Sequence, residues 1–270
     1  MNSTSNPLVV LLGVGSGVGK SHISQGLCRL ARWQGMRVEL FKSLLVGSEA
    51  ALSWRSISAR SETTRSVQQI RNPCFFDVAT RKLSVLGEPF GCYNLISSDN
   101  VDFSTMPRDV LQRVRQIVMD DLVYVRSVSD IVIVEGGGSC TDEPTHDFTN
   151  SFVAETGGAK VILVANAANG GFAPALIGTF SLLPATVQGK VCGFICNRAQ
   201  PHARQVKYNL DLVTRHTGME CFGCIPCVDD ATTHGASADE IAHHLTANAL
   251  RELLFMQPQR SVSLNTWVSA

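Results

Sequence analysis

No sign of charge prevails in this sequence. Its 23 lysines and arginines balance 23 aspartates and glutamates over 270 residues. That leaves no broad field to hold nucleic acid or an anionic membrane, and neither is expected as a partner. Charged residues make up only 17% of the chain against 44% hydrophobic, which excludes intrinsic disorder and supports a sizeable core. Lysine is scarce, with six in all, so the position of each carries weight. No run of 18 apolar residues occurs, and no membrane span is expected. The first apolar run, Leu8 to Leu12, is too short for a signal-peptide core and passes straight into glycines. Nine cysteines, an odd number without a secretion signal, read as reduced thiols of a cytoplasmic protein.

What is present is an alternation of apolar, β-branched runs with helix-periodic stretches. Pro7 to Leu12, Arg37 to Phe41, Asp130 to Val134, Lys160 to Ala165, Lys190 to Cys196 and Met219 to Ile225 read as strands. Ser21 to Gln34, Pro107 to Val125, Pro174 to Leu183, Val206 to Thr217 and Ala238 to Phe255 read as helices. Strands this apolar are buried on both faces, as in a parallel sheet covered by helices. The pattern predicts an α/β fold with a mostly parallel sheet and helices on both faces. A single domain is expected over 1–256, with a less regular insert at 44–106 and a polar tail at 257–270.

Gly13-Val-Gly-Ser-Gly-Val-Gly-Lys-Ser21 follows the first strand and opens the first helix. Such a loop turns backbone N–H groups toward phosphate oxygens, and the helix N-terminus adds its positive dipole end. Gly13, Gly15, Ser16, Gly17, Val18, Gly19, Lys20, Ser21 and His22 are the candidate nucleotide-binding residues. Lys20 is placed to reach the β- and γ-phosphates and Ser21 to ligate Mg²⁺. A second signal is Asp130-Ile-Val-Ile-Val-Glu-Gly-Gly-Gly-Ser139, which puts Glu135 at a strand's C-terminal edge, where open α/β sheets bind ligands. A carboxylate there suits Mg²⁺. Lys42 ends the second strand, spaced to face the same phosphates. Asn197, at the end of Gly193 to Arg198, offers both a donor and an acceptor to a base edge. Cys221-x-x-Cys224-x-x-Cys227 has the spacing of a metal site but no fourth local cysteine, so the reading as small apolar residues is preferred.

These motifs, in this order from about Leu8 to Val228, resemble the clan of dethiobiotin synthetase and the N-terminal synthetase domain of cobyric acid synthase. The phosphate loop is similar to that clan's G-T-x-x-x-x-G-K-[ST], with Gly13 on its glycine and Val14 on its threonine. Gly15 stands where the ParA/MinD ATPases carry an extra lysine. The Glu135 segment resembles Val-Glu-Gly-Ala-Gly, Arg71-Asn72-Pro73 resembles Met-Asn-Pro, and Gly223-Cys-Ile-Pro226 resembles Gly-x-x-Pro. In the resemblance, Asn197 and Pro226 lie near the adenine. Asn166, Ala168 and Asn169 depart from the Asp and Arg of the substrate loop.

The resemblance implies a P-loop NTPase-like fold, a synthetase-like domain over 1–256, and an ATP- and Mg²⁺-dependent C–N ligase acting on a small-molecule carboxylate or diamine, by amidation or by cyclisation. Lys20 and Lys42 would be the catalytic cations, with Ser21 and Glu135 as metal ligands. It further implies a homodimer and, for amidation, ammonia from solution or from a separate glutaminase subunit. The altered loops, Asn166 to Asn169 and Ala199 to His202, motivate a second expectation: an ATP-binding switch or scaffold that recruits a partner.

Overall fold

A computed structural model describes residues 6–47, 72–97, 100–101, 103–142, 146–168, 170–200, 203–226 and 238–245. Arg71, Asn169, His202, Cys227, Val228, the predicted last helix beyond 245 and the tail at 257–270 lie outside them.

Six strands form the main sheet: β1 (Leu8–Gly13), β2 (Val38–Phe41), β9 (Ile131–Glu135), β10 (Ala159–Asn166), β11 (Val191–Ala199) and β12 (Glu220–Pro226). They run in the order β12-β11-β10-β1-β9-β2, and every ladder is parallel. This is the predicted fold class. β1 is buried at all six positions and β9 at all five, as central strands covered on both faces must be.

Alternate residues of each strand feed two cores. Val9, Leu11, Ile133, Ile162, Ile195 and Phe222 face Ile23, Leu27 and Ala31 of α1 (Lys20–Trp33). Leu8, Val10, Leu12, Val134, Leu163 and Phe194 face the opposite side. There they meet Leu111, Val114, Val118 and Leu122 of α2 (Arg108–Val128) and Val153 of α3 (Ser151–Ala154). Leu176 of α4 (Phe172–Leu182), Val187 of α5 (Ala185–Gln188) and Val213 of α6 (Arg204–Thr217) complete that layer. A last helix, α7 (Ala238–His243), packs beside α1.

The region predicted as a less regular insert builds a second sheet. β3 (Leu44–Gly47) pairs parallel with β4 (Cys74–Asp77), and β5 (Lys82–Val85) and β6 (Glu88–Cys92) add antiparallel strands. A short pair, β7 (Ile96–Ser97) and β8 (Asn100–Val101), follows. Phe76 and Leu83 of the second sheet bury against α2's side of the core. Among the described residues, no helix is long and apolar enough to cross a membrane.

Candidate nucleotide site

The site lies at the C-terminal edge of β1 and β9, neighbours in the sheet. β1 ends at Gly13, and the N–H of Val14 still bonds to the Val164 carbonyl at 3.0 Å. The chain then arches through Gly15, Ser16 and Gly17 before α1 begins at Lys20. Gly17 and Gly19 hold φ of 68° and 97°, the left-handed region. At Gly19 glycine is required twice, because a Cβ there would also collide with the Asn197 carboxamide. Ser16, Gly17 and His22 are exposed, whereas Val18 is buried beneath the arch.

Four predicted side chains are brought together at one point. Glu135, the last residue of β9, is only 6% exposed. Its Oε1 accepts the Ser21 hydroxyl at 2.8 Å and the Lys42 ammonium at 2.6 Å. Lys20 Nζ donates to the Gly138 carbonyl at 2.6 Å. Burial holds the Lys20 ammonium below its ordinary pKa, with the Glu135 carboxylate pulling the other way. Lys42 sits where the main sheet hands over to the second, one residue before the fully buried Ser43. Asn197 reaches back across the sheet edge, its Nδ2 donating to the Val18 carbonyl at 2.9 Å. Pro226 ends β12 in register with Ala199.

The loop after Glu135 supplies groups that the sequence reading did not single out. The Cys140 N–H donates to the Gly13 carbonyl at 3.0 Å and ties this loop under the phosphate arch. Burial pushes the Cys140 thiol up to about 12, opposed by the nearby Lys20 charge. Asn150 Nδ2 donates to the Gly137 carbonyl at 2.9 Å. Asp147 Oδ1 gathers the N–H groups of Thr149 and Asn150, each at 2.8 Å, and so fixes that asparagine. An Asx turn at Asp147-Phe-Thr-Asn150 was the available signal.

The donor set fits a magnesium ion. Ser21 and Glu135 offer hard oxygens 2.8 Å apart, close to the ~2.9 Å spacing of adjacent ligands in an octahedron with bonds near 2.1 Å. The loop's N–H groups, α1's N-terminus and two lysines can balance the charge of a polyphosphate.

A family model described as an AAA domain, AAA_26, matches residues 95–234, more than half of the chain. A cobyric acid synthase of Sorangium cellulosum is 29% identical over 230 residues, covering 81% of this chain and 42% of that protein. A cobyric acid synthase of Sinorhizobium sp is 27% identical over 263 residues, covering 93% of this chain and 52% of that protein. The chain thus spans about half the length of the curated relatives it matches, and the similarity to cobyric acid synthases read from the motifs is borne out. Among solved structures, apo McdA of Cyanthece superposes with a TM-score of 0.50 at 12% identity, over 92% of this chain and 96% of that one, a likeness of fold.

Proposed function

We propose that this chain, which belongs to the AAA_26 family of AAA domains, is a Mg²⁺- and ATP-dependent C–N ligase acting on a small molecule. The observation that carries the reading is the convergence of Ser21 and Lys42 on one carboxylate oxygen of Glu135, beside the buried Lys20. The similarity to cobyric acid synthases supports the class of reaction, amidation, over cyclisation.

In this reading a substrate carboxylate oxygen attacks the γ-phosphorus of ATP and ADP leaves. An amine nitrogen then attacks the acyl carbon and inorganic phosphate leaves. Bound Mg²⁺ would supply positive charge to offset that of the phosphates. Ser21 and Glu135 would hold it. Lys20 exchanges the Gly138 carbonyl for a phosphate oxygen, and Lys42 exchanges Glu135 for the transferring phosphoryl group. Both cations thereby act where charge develops. Asn197 and Pro226 border the base. The homodimer and the separate glutaminase subunit implied by the resemblance belong to the same proposal.

Lys20→Ala should lower acceptor-dependent ADP release at least about 100-fold, the scale expected for removing one preorganised charge contact. Activity equal to that of the native chain would sink the mechanism. The switch reading is favoured by Asn166, whose Oδ1 accepts the Ala168 N–H at 2.9 Å and is spent on the loop's own turn. Tight ATP binding with no ADP release under any carboxylate or diamine would select it.

A further inference from the structure

The ligase reading leaves three thiols unused at the far side of the sheet. β12 is an edge strand, and its ladder with β11 slips by one residue. Phe194 pairs with Cys221, Ile195 with Gly223 and Cys196 with Cys224. Two residues of β12 therefore oppose one of β11, as in a β-bulge. Residues three apart on a regular strand face opposite sides. The bulge instead returns Cys224 to the face of Cys221, and both pack into the core that holds Cys196. The Cys221 and Cys224 sulfurs are 4.0 Å apart. Cys196 is fully buried, and Cys221 and Cys224 are half-buried.

The three thiols are not equivalent. Cys224 is pulled down to about 4 by the thiols of Cys196 and then Cys221, which hydrogen-bond to it, with the His244 charge adding to them against burial. Cys196 and Cys221 are pushed up by the same contacts and remain protonated donors. A half-buried thiolate flanked by thiols is the nucleophile that oxidants find first. Register sets Cys196 directly beside it on the neighbouring strand. Adjacent strands lie about 4.8 Å apart, inside the ~4.4–6.8 Å window for the Cα atoms of a disulfide. Cys221 and Cys224, two rises apart along one bulged strand, sit at about 6.6 Å, the upper end of that window.

We infer that Cys196 and Cys224 form a reversible cross-strand disulfide that senses peroxide and weakens nucleotide binding. The Cys224 thiolate attacks one peroxide oxygen, the O–O bond breaks, and hydroxide leaves as water after protonation. The Cys196 sulfur then attacks the resulting sulfenic acid. The S–O bond breaks, the S–S bond forms, and the hydroxyl leaves as water with the Cys196 proton. Two electrons pass from the two sulfurs to the peroxide, and a dithiol returns them. Cys196 immediately precedes Asn197, the residue bonded to the Val18 carbonyl in the phosphate loop. Closing the S–S bond to ~2.05 Å reorients the Cys196 side chain and the peptide it shares with Asn197. This coupling rests on the nucleotide reading of the loop; the disulfide does not.

The test treats the full chain with hydrogen peroxide, blocks free thiols and maps linked peptides by mass spectrometry. ATP affinity is measured on the reduced and oxidised forms. A Cys196–Cys224 peptide is expected, reversed by dithiothreitol, absent from Cys224→Ser and retained in Cys221→Ser. ATP affinity should fall about ten-fold on oxidation and recover on reduction. A Cys221–Cys224 link, no link at all, or a tightly held metal ion that blocks oxidation would overturn the disulfide. Equal ATP affinity in both forms would overturn the coupling. Failure of the reduced chain to bind ATP would instead overturn the nucleotide reading, while the linked peptide would still decide the disulfide.

Discussion

Asp121 shows how a single residue of this fold carries a pH signature. It lies on α2, and its Oδ2 is buried without a hydrogen-bond partner among the described residues. Burial first, and the Asp120 charge second, raise its carboxyl from 3.8 to about 6. The folded state therefore binds this proton more tightly than the unfolded state. Its contribution to stability is full below about pH 4 and is lost as pH rises through about 6. Urea midpoints taken across that window should fall with rising pH by less in Asp121→Asn than in the native chain. An unchanged slope would show that other groups set it. At the phosphate loop the same scale gives a different lesson. Lys20, Ser21, Lys42 and Glu135 were legible in the sequence because each sits at a strand end or helix start, where the motif fixes its direction. Gly138 and Cys140 were not, because they act through backbone atoms, which no side-chain pattern reports.

At the scale of elements, the β11–β12 ladder depends on a missing side chain. A Cβ on Gly193 would approach the Glu220 carbonyl oxygen and the Phe222 ring, each at 2.6 Å. Phe222 is fully buried and cannot withdraw without opening a void. Gly193→Ala should therefore cost about 1–3 kcal/mol, the usual penalty of overpacking, read as a lower denaturant midpoint at unchanged slope. The main-sheet strands were readable because runs such as Val-Val-Leu-Leu and Ile-Val-Ile-Val are buried on both faces. The second sheet was not. Lys82-Leu-Ser-Val85 and Glu88-Pro-Phe-Gly-Cys92 are short and mix polar with apolar residues, and their pairing is settled by tertiary contacts with α2's core. The β12 bulge was also hidden, since Cys-Phe-Gly-Cys alternates without regard to the partner's register.

For the whole molecule, Arg126 binds distant parts of the chain into one body. It is 8% exposed near the end of α2, and burial lowers its pKa. Its Nη2 donates to the Asn6 carbonyl at 2.7 Å and its Nη1 to the Gly157 carbonyl at 3.1 Å. One guanidinium thus joins the approach to β1, α2 and the approach to β10. Arg126→Ala would strand those carbonyls and should cost about 2–3 kcal/mol, measured by thermal or denaturant unfolding. A loss under about 0.5 kcal/mol, typical of an open surface position, would refute that role.

The strand order carries a consequence for how the chain is made. β1 is made well before its two neighbours, β9 and β10, which end at Glu135 and Asn166. On a ribosome adding about 5–20 residues per second, Gly13 waits roughly 10–30 s for the second wall of its ladder. Until Glu135 is reached, this apolar strand has neither of its ladder partners. The phosphate loop is thus translated well before the strands that frame it.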